Sequence, residues 1–138
     1  MNIEYSFIVI DDSELDSFVI QKVIQHTYKS VSIKTFHNGL DAIEMIRDHS
    51  ESDEHPTIIF LDLQMPVMDG PKFIEEFEKL PVKIQDDYVI VVLSILSSST
   101  YPVDMLRIRN YVAVNSVIEK PLTKDKLITL LAQLKPGI

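Results

Sequence analysis

The feature that most constrains this chain is a regular alternation of short apolar runs with stretches of helical periodicity. The apolar runs predict five strands: Phe7–Ile10, Ile33–Phe36, Thr57–Leu61, Tyr88–Leu96 and Val117–Ile118. Continuous apolar runs are typical of parallel strands that are covered on both faces. A strand–helix unit repeated five times predicts an α/β fold, in which right-handed crossovers place helices on both faces of a parallel sheet. Five such strands favour the doubly wound order 2-1-3-4-5, with a switch point between strands 1 and 3.

Helical periodicity follows each predicted strand. Ser13 is the expected N-cap of the first helix, which ends within residues 26–30, and Thr123 caps the last helix. The third helix has Pro71 in its first turn, and the fourth runs from Pro102 to about Asn110. The apolar positions of the first, second, third and last helices are Leu15, Phe18, Val19 and Val23; Leu40, Ala42, Ile43, Met45 and Ile46; Phe73, Phe77 and Leu80; and Leu127, Leu130, Leu131 and Leu134.

Size and charge narrow the classes of function. A chain of 138 residues is expected to form one domain, residues 1–138. It has no Cys, and its formal net charge is -8, which disfavours nucleic-acid binding because phosphate contacts need a basic face. The same charge suits a basic partner or a divalent cation. Neither a signal peptide nor an apolar run of membrane-spanning length is found, so we expect a soluble cytoplasmic protein without membrane attachment.

Charged side chains follow three of the predicted strands at their carboxyl ends. Asp11 and Asp12 follow strand 1, Asp62 follows strand 3, and Lys120 follows strand 5. Ligands of doubly wound sheets bind at the switch point, where the carboxyl ends of strands 1 and 3 are neighbours. Three converging carboxylates predict a site for Mg²⁺ or Mn²⁺, since hard oxygen ligands with room for water suit such an ion. With Lys120 added, the cluster suits a phosphoryl group.

Each of these residues has a simpler interpretation when it is taken alone. The Asp11-Asp12 pair can serve as a helix cap, Asp62 as a turn residue and Lys120 as a solvated surface lysine. The placement of all of them at strand ends of one sheet is what these interpretations leave unexplained. The combination therefore favours a functional cluster.

The segments around these residues resemble the receiver domain of two-component response regulators, of the single-domain chemotaxis-regulator type. The matching segments are Ile8-Val9-Ile10-Asp11-Asp12, Asn38-Gly39-Leu40-Asp41-Ala42, Leu61-Asp62-Leu63-Gln64-Met65-Pro66-Val67-Met68-Asp69-Gly70 and Glu119-Lys120-Pro121-Leu122. The resemblance covers essentially the whole chain, and the segment from Asp62 to Gly70 is its most specific part. It implies a flavodoxin-like, three-layer sandwich with the strand order given above.

The resemblance also implies a role for each charged residue. Asp62 is the implied phosphoacceptor, and Asp11 and Asp12 hold Mg²⁺ with help from Asp62 and the backbone carbonyl of Gln64. Lys120 is implied to contact the phosphoryl oxygens. The Lys120–Pro121 bond is expected to be cis, and Asp69-Gly70 shapes the loop over the site.

Receiver domains also use a Ser or Thr hydroxyl at the end of strand 4 to contact the phosphoryl group. Ser97 lies in a Ser-rich segment like that of some receivers, whereas Ser94 is nearer to Asp62 along the chain. This region is about three residues longer than the same region of the receivers that it resembles. Insertions are tolerated better in a loop than in a central strand. We therefore place them before strand 4 and favour Ser97, with Ser94 as the alternative.

One position departs from the pattern of the resemblance. Receivers usually carry Tyr or Phe three residues before the lysine, and here that residue is Val117. Valine is small and stiff at χ1, so it cannot make the same large rotameric change. This departure bears on the output mechanism of the switch and not on phosphorylation.

The resemblance implies a response regulator that acts as a phosphoprotein switch in a phosphorelay. A sensor histidine kinase or a phosphotransfer protein would supply the phosphoryl group, and an unknown downstream protein would bind the switch. Such a protein is not an enzyme beyond its own Mg²⁺-dependent phosphorylation and dephosphorylation. The chain would act alone, or as a segment of a hybrid kinase or longer regulator.

Three other functions are weighed against this one. A haloacid-dehalogenase-type aspartyl phosphatase needs an acid two residues after its nucleophile, where this chain has Gln64. A flavin carrier on the same fold needs a phosphate-binding loop after strand 1, where Asp11 and Asp12 would repel phosphate. A degenerate receiver that only binds is also considered, but the acidic residues and Lys120 are all present.

Overall fold

The computed structural model describes residues 5–29, 31–48, 56–63, 65, 67–94 and 108–134. Within these ranges the strands are β1 (Tyr5–Ile10), β2 (Val31–Phe36), β3 (Thr57–Asp62), β4 (Tyr88–Ser94) and β5 (Val114–Glu119). The helices are α1 (Glu14–Thr27), α2 (Gly39–Asp48), α3 (Gly70–Glu78), the short α4 (Val82–Gln85) and α5 (Lys124–Leu134). Within the described residues, the predicted strand–helix alternation is confirmed from β1 to β4, and a helix follows β5 as predicted.

All five strands are parallel and lie in the order β2-β1-β3-β4-β5, as predicted. β2 lies on one side of β1, and β3 and the later strands lie on the other. The switch point of this doubly wound sheet is therefore between β1 and β3. Ile10 pairs with Leu61 across these two strands, so the residues that follow them leave the sheet at the same level. The register therefore brings the ends of β1 and β3 together at one edge.

Apolar side chains cover both faces of the sheet. One core cluster joins the strands to residues of α2 and α3, and the other joins them to residues of α1 and α5. The central strands are buried almost completely, since residues 58–61 of β3 and residues 90–93 of β4 are at most 4% exposed. Burial on both faces explains why these strands are continuous apolar runs in the sequence.

The buried face of α1 is not the one that the sequence pattern indicates. Ser17, Ile20 and Ile24 are the buried residues of this helix, whereas Leu15 is 71% and Phe18 55% exposed. Ile20 and Ile24 are one turn apart and pack on the sheet, with Ser17 one turn before them. The apolar residues of α1 thus form two stripes, and the predicted one is mostly turned away from the core. In α2, Leu40 is likewise exposed while Ala42, Ile43 and Ile46 are buried.

The ends of the last two strands also differ from the prediction. The strand predicted over Tyr88–Leu96 is described as far as Ser94, and residues 95 and 96 lie outside the described ranges. β5 is longer than the predicted Val117–Ile118, because it begins at Val114. Ile90 pairs with Val114 and Val91 with Ser116, so the residue between them on β5 is an extra one. The polar residues of β5 interrupt its apolar run, so the full extent of this edge strand is not evident from the sequence.

The sequence pattern identifies most helix ends and misses one short helix. Ser13 Oγ accepts the Asp16 backbone N–H (3.2 Å) and caps α1 as predicted, and Thr123 Oγ1 accepts the Lys126 N–H (3.2 Å) at α5. The helix α4 has only one turn and was not predicted. The fourth predicted helix, from Pro102 to about Asn110, lies outside the described residues except for its last three. Of the helices described, none has the length and apolar character to cross a bilayer.

Candidate functional site

Four charged side chains converge where the carboxyl ends of β1, β3 and β5 open to solvent. Asp11 and Asp12 follow β1, Asp62 is the last residue of β3, and Lys120 directly follows β5. Each of them ends or follows a strand whose register is fixed by the buried core, so the sheet itself determines their positions. The structure therefore brings together the four residues that the sequence predicts at this edge.

Asp11 is the most deeply placed of the carboxylates and is 1% exposed. Its Oδ1 accepts the backbone N–H of Ser13 at 2.9 Å, which holds the turn into α1. Its own N–H donates to the Phe36 carbonyl on β2 (3.0 Å), so its backbone continues the pairing of β1 with β2. Asp11 is therefore rigid, whereas its neighbour Asp12 is exposed.

Lys120 is surrounded by carboxylates on three sides. Its Nζ donates to Asp11 Oδ2 at 3.1 Å, to Asp16 Oδ2 at 3.0 Å and to Asp62 Oδ1 at 3.2 Å. Asp16 was not among the predicted site residues. The available signal was its position in the first turn of α1, four residues after Asp12, but the sequence does not show that this turn faces the end of β5.

The backbone around Lys120 is held as firmly as its side chain. The Lys120–Pro121 peptide bond is cis, as predicted. Lys126 on α5 donates from Nζ to the carbonyls of Glu119 (2.8 Å) and Pro121 (3.0 Å), the residues on either side of Lys120. The N–H of Lys120 itself donates to the Ser94 carbonyl at the end of β4 (2.9 Å).

The loop from β3 to α3 passes beside the site. Asp69 Oδ1 accepts the Lys72 N–H (2.9 Å) and caps α3, and the Gly70 N–H donates to the Leu63 carbonyl (2.9 Å). A Cβ on Gly70 would lie 2.7 Å from the Leu63 Cα, so only glycine permits this close approach. Asp69 and Gly70 therefore fix the start of α3 against Leu63, the residue that follows β3. Gln64, the predicted backbone ligand of a metal, lies outside the described residues.

The donor set at this edge fits a hard divalent cation. Each of Asp11, Asp12 and Asp62 offers a carboxylate oxygen, and these oxygens all lie within 4.8 Å of one another. Oxygen ligands with one open, solvent-facing side suit Mg²⁺, which keeps several of its waters when it binds. Among the described residues no Cys or His joins this group, as a structural zinc site would require.

Burial and the crowding of charge shift the pKa values of two residues. Burial, and next the neighbouring Asp11 carboxylate, raise the pKa of Asp62 to about 6, although Lys120 opposes the shift. Burial disfavours the charged form of Lys120, but the Asp62 and Asp11 carboxylates outweigh it and raise the pKa of Lys120 above its usual range. The lysine thus stays charged. The ionised form of Asp62 is destabilised, and a bound cation would stabilise it.

Of the three residues that the sequence connects with switching, the structure describes Ser94 and Val117. Ser94 is the last residue of β4 and follows Leu93, the register partner of Asp62. Ser97 lies outside the described residues. Val117 is half-buried on β5 and packs against the core cluster that includes α2 and α3. Val117 thus occupies a packed position where receivers usually carry an aromatic ring.

The family of this chain follows from its sequence as well as from this geometry. A family model of the response regulator receiver domain matches residues 7–132. The chain therefore belongs to the response regulator receiver family, the signal-receiving domains of two-component systems. This agrees with the resemblance seen in the sequence and with the fold.

A solved structure supports the same conclusion over the full length of the chain. A response regulator receiver protein from Dyadobacter fermentans superposes with a TM-score of 0.83 at 27% identity, covering 98% of this chain and 100% of that one. The similarity therefore extends to the order and packing of the elements, and is not limited to the site.

Two curated relatives are histidine kinases. The sensor histidine kinase CheAY of Helicobacter pylori is 33% identical over 55% of this chain, and the peroxide stress-activated histidine kinase mak1 of Schizosaccharomyces pombe is 27% identical over 93% of it. The matched regions are 9% and 7% of those proteins. The chain thus corresponds to a small part of each kinase.

Proposed function

We propose that this chain is a phosphorylation-dependent switch of a two-component system, with Asp62 as its phosphoacceptor. The observation that carries the proposal is the convergence of Asp62 with Asp11, Asp12 and Lys120 at the switch point of the sheet. Asp62 is positioned at a strand end, and its side chain is 14% exposed, so an incoming phosphoryl group can reach it. The receiver family is built for signalling of this kind.

The metal proposed for this site is Mg²⁺, with Mn²⁺ as a substitute. Asp11, Asp12 and Asp62 would hold it, together with the backbone carbonyl of Gln64 as the resemblance implies. When bound, the ion supplies positive charge that neutralises the phosphoryl oxygens during transfer. Asp11 is preorganised for this task by its hydrogen bond from Ser13, whereas the exposed Asp12 adjusts at little cost.

Lys120 is the second source of positive charge. Its ammonium already lies 3.2 Å from Asp62 Oδ1, and the contacts of Lys126 hold the backbone in place. Once Asp62 attacks the donor phosphorus through a carboxylate oxygen, the bond to the leaving group breaks and an acyl phosphate forms. Lys120 is then positioned to donate a hydrogen bond to a phosphoryl oxygen.

The phosphoryl donor is proposed to be a histidine kinase or a phosphotransfer protein that binds beside α1. Leu15, Phe18 and Val19 form an exposed apolar stripe on this helix. A cavity of about 200 Å³ continues the stripe toward Lys120, and Pro121 and Leu122 line its other side. An apolar surface that borders the acceptor suits a protein that must place a phosphohistidine over Asp62.

The switch hydroxyl is proposed to be Ser97 or Ser94. The Ser-rich segment favours Ser97, whereas the described geometry supports Ser94, which follows the register partner of Asp62 and whose backbone carbonyl accepts the Lys120 N–H. A hydroxyl that donates to the phosphoryl group would draw the segment after β4 inward. Because Val117 is not aromatic, we propose that this segment carries most of the change to a downstream protein.

Phosphoryl uptake from a small donor tests the proposed function. The chain is incubated with acetyl phosphate, with and without Mg²⁺, and its intact mass is followed over time. We expect the mass of one phosphoryl group to be added only when Mg²⁺ is present. Asp12→Asn should slow the uptake, because it removes one carboxylate from the metal site.

The matched control is Asp41→Asn, which removes the same charge from an exposed position on α2. Its rate should equal that of the wild type. No uptake by the wild-type chain, or the same uptake without a divalent cation, would contradict the proposal.

A further inference from the structure

Asp16 pairs with Lys120 from the outside of the proposed site. Its Oδ2 lies 3.0 Å from the lysine Nζ, and its side chain is 44% exposed, compared with 2% for Asp11. Among the described residues, the carboxylates close enough to share a cation are Asp11, Asp12 and Asp62. Asp16 is therefore a partner of the lysine that is not a member of the metal group.

The lysine ammonium has no spare donor in this arrangement. It carries three N–H groups, and Asp11, Asp16 and Asp62 each accept one of them. A phosphoryl oxygen can bind Nζ only if one of these contacts is released. The contact with Asp16 is the most exposed of the three, and water competes best with an exposed ion pair. Asp16 is thus the partner that the lysine gives up at least cost.

We propose that Asp16 is a positioning residue that restrains Lys120 and competes with the phosphoryl group for its ammonium. The proposal rests on the function proposed above for Asp62. Two effects act in the same direction: the Asp16 carboxylate holds the ammonium, and its negative charge lies close to the place where phosphoryl oxygens would bind. Both effects slow phosphoryl uptake, and Asp16→Asn weakens both because it removes the negative charge.

The variant Asp16→Asn is well suited to the test. It keeps the size of the side chain and one acceptor oxygen, and the backbone N–H that Ser13 caps is unchanged. Glu14→Gln is the matched control, because Glu14 is an exposed acid in the same turn of α1. Asp16→Glu returns a carboxylate and serves as the rescue variant.

The first measurement follows the hold of Asp16 on Lys120 in the metal-free protein. Exchange of the Lys120 ammonium protons with solvent is measured by NMR on protein with labelled lysine. We expect faster exchange in Asp16→Asn than in the wild type, and no change in Glu14→Gln. Equal exchange in Asp16→Asn and the wild type would overturn the proposal, whether or not Asp62 accepts a phosphoryl group.

The second measurement is the apparent second-order rate constant for phosphorylation by acetyl phosphate with Mg²⁺. We expect this constant to rise about two- to fivefold in Asp16→Asn, the range for losing one partly exposed ion pair. Glu14→Gln should change it less than about twofold on the same grounds, and Asp16→Glu should return it toward the wild-type value. An unchanged or lower constant in Asp16→Asn would overturn the proposal. A wild-type chain that takes up no phosphoryl group would instead overturn the function proposed for Asp62.

Discussion

Val67 has a left-handed backbone conformation in the loop between β3 and α3. Its φ is 69°, and among the described residues other than glycine only Val67 has a positive φ. This region costs an L residue about 1–2 kcal/mol, and branching at Cβ makes valine a poor occupant. The side chain is 78% exposed, so packing returns little.

Val67→Gly is therefore expected to stabilise the protein. Glycine adopts this conformation without the steric cost but loses more backbone entropy on folding, so the net gain should be about 0.5–1 kcal/mol. The free energy of unfolding is measured by urea denaturation. Val112→Gly is the matched control, an exposed loop valine without a positive φ, and should be neutral or destabilising. A loss of stability in Val67→Gly would show that the strain is absent.

Asp62 should make the stability of the metal-free protein depend on pH. Its pKa is 3.8 in a model compound and about 6 in the folded chain, because burial and Asp11 disfavour its ionised form. Between these values the folded state binds more protons than the unfolded state, so stability falls as the pH rises through this window. Above about pH 6 the full cost of the ionised carboxylate is present.

Asp62→Asn should relieve this cost. We expect the variant to raise the free energy of unfolding by about 1–2 kcal/mol at neutral pH, a value reduced from the full pKa shift because the site is partly solvated. The gain should disappear by about pH 4. Denaturation of both proteins across this range, without divalent cation, measures the difference. A gain that is constant with pH would show that ionisation of Asp62 is not its source.

At the level of the elements, α1 carries two apolar stripes in different surroundings. Ile20 and Ile24 pack on the sheet, and the stripe of Leu15, Phe18 and Val19 faces outward beside the acceptor. An exposed apolar stripe that gives nothing to the core indicates a binding surface. The two stripes lie on different faces of one helix, so the surface can be changed without disturbing the core.

Phe18→Ala should separate the two proposed ways of phosphorylating this chain. A protein donor that binds α1 loses an aromatic contact, so its transfer rate should fall about tenfold or more. Phosphorylation by acetyl phosphate should be unchanged, because a small donor does not need the helix surface. Val82→Ala, an exposed apolar residue on α4, is the control. Equal losses with both donors would indicate damage to the site instead of to a docking surface.

The same helix shows where prediction from the sequence succeeds and fails. Its N-cap was predicted correctly, because Ser13 acts on backbone groups three residues away and this geometry is local. Its buried face was predicted wrongly, because the exposed stripe and the core stripe are both apolar. Only the packing of the helix on the sheet distinguishes them.

The strands show a similar division. Central strands such as β3 are buried on both faces and are recognised by their apolar runs. β5 was predicted too short, because backbone pairing with β4 and an extra residue at Asn115 extend it through polar positions. The extent of an edge strand depends on its neighbour, which the sequence of that strand does not describe.

At the level of the whole molecule, the site is a product of the topology. Asp11 and Asp62 are far apart in the chain, but the order β2-β1-β3-β4-β5 makes their strands neighbours. Their convergence could be predicted because five strands that alternate with helices favour the doubly wound order. The contact between Asp16 and Lys120 could not, because it depends on how α1 is placed relative to the end of β5.

The most direct test of the central claim is to locate the phosphoryl group on the chain. After treatment with acetyl phosphate and Mg²⁺, the acyl phosphate is trapped by borohydride reduction, and the modified residue is found by peptide mass spectrometry. Asp62 is the last residue of β3, and its carboxylate pairs with Lys120. The account predicts modification at Asp62 alone and none in Asp62→Asn. Modification at Asp11, Asp12 or a residue outside the cluster, or an equal yield in Asp62→Asn, would contradict it.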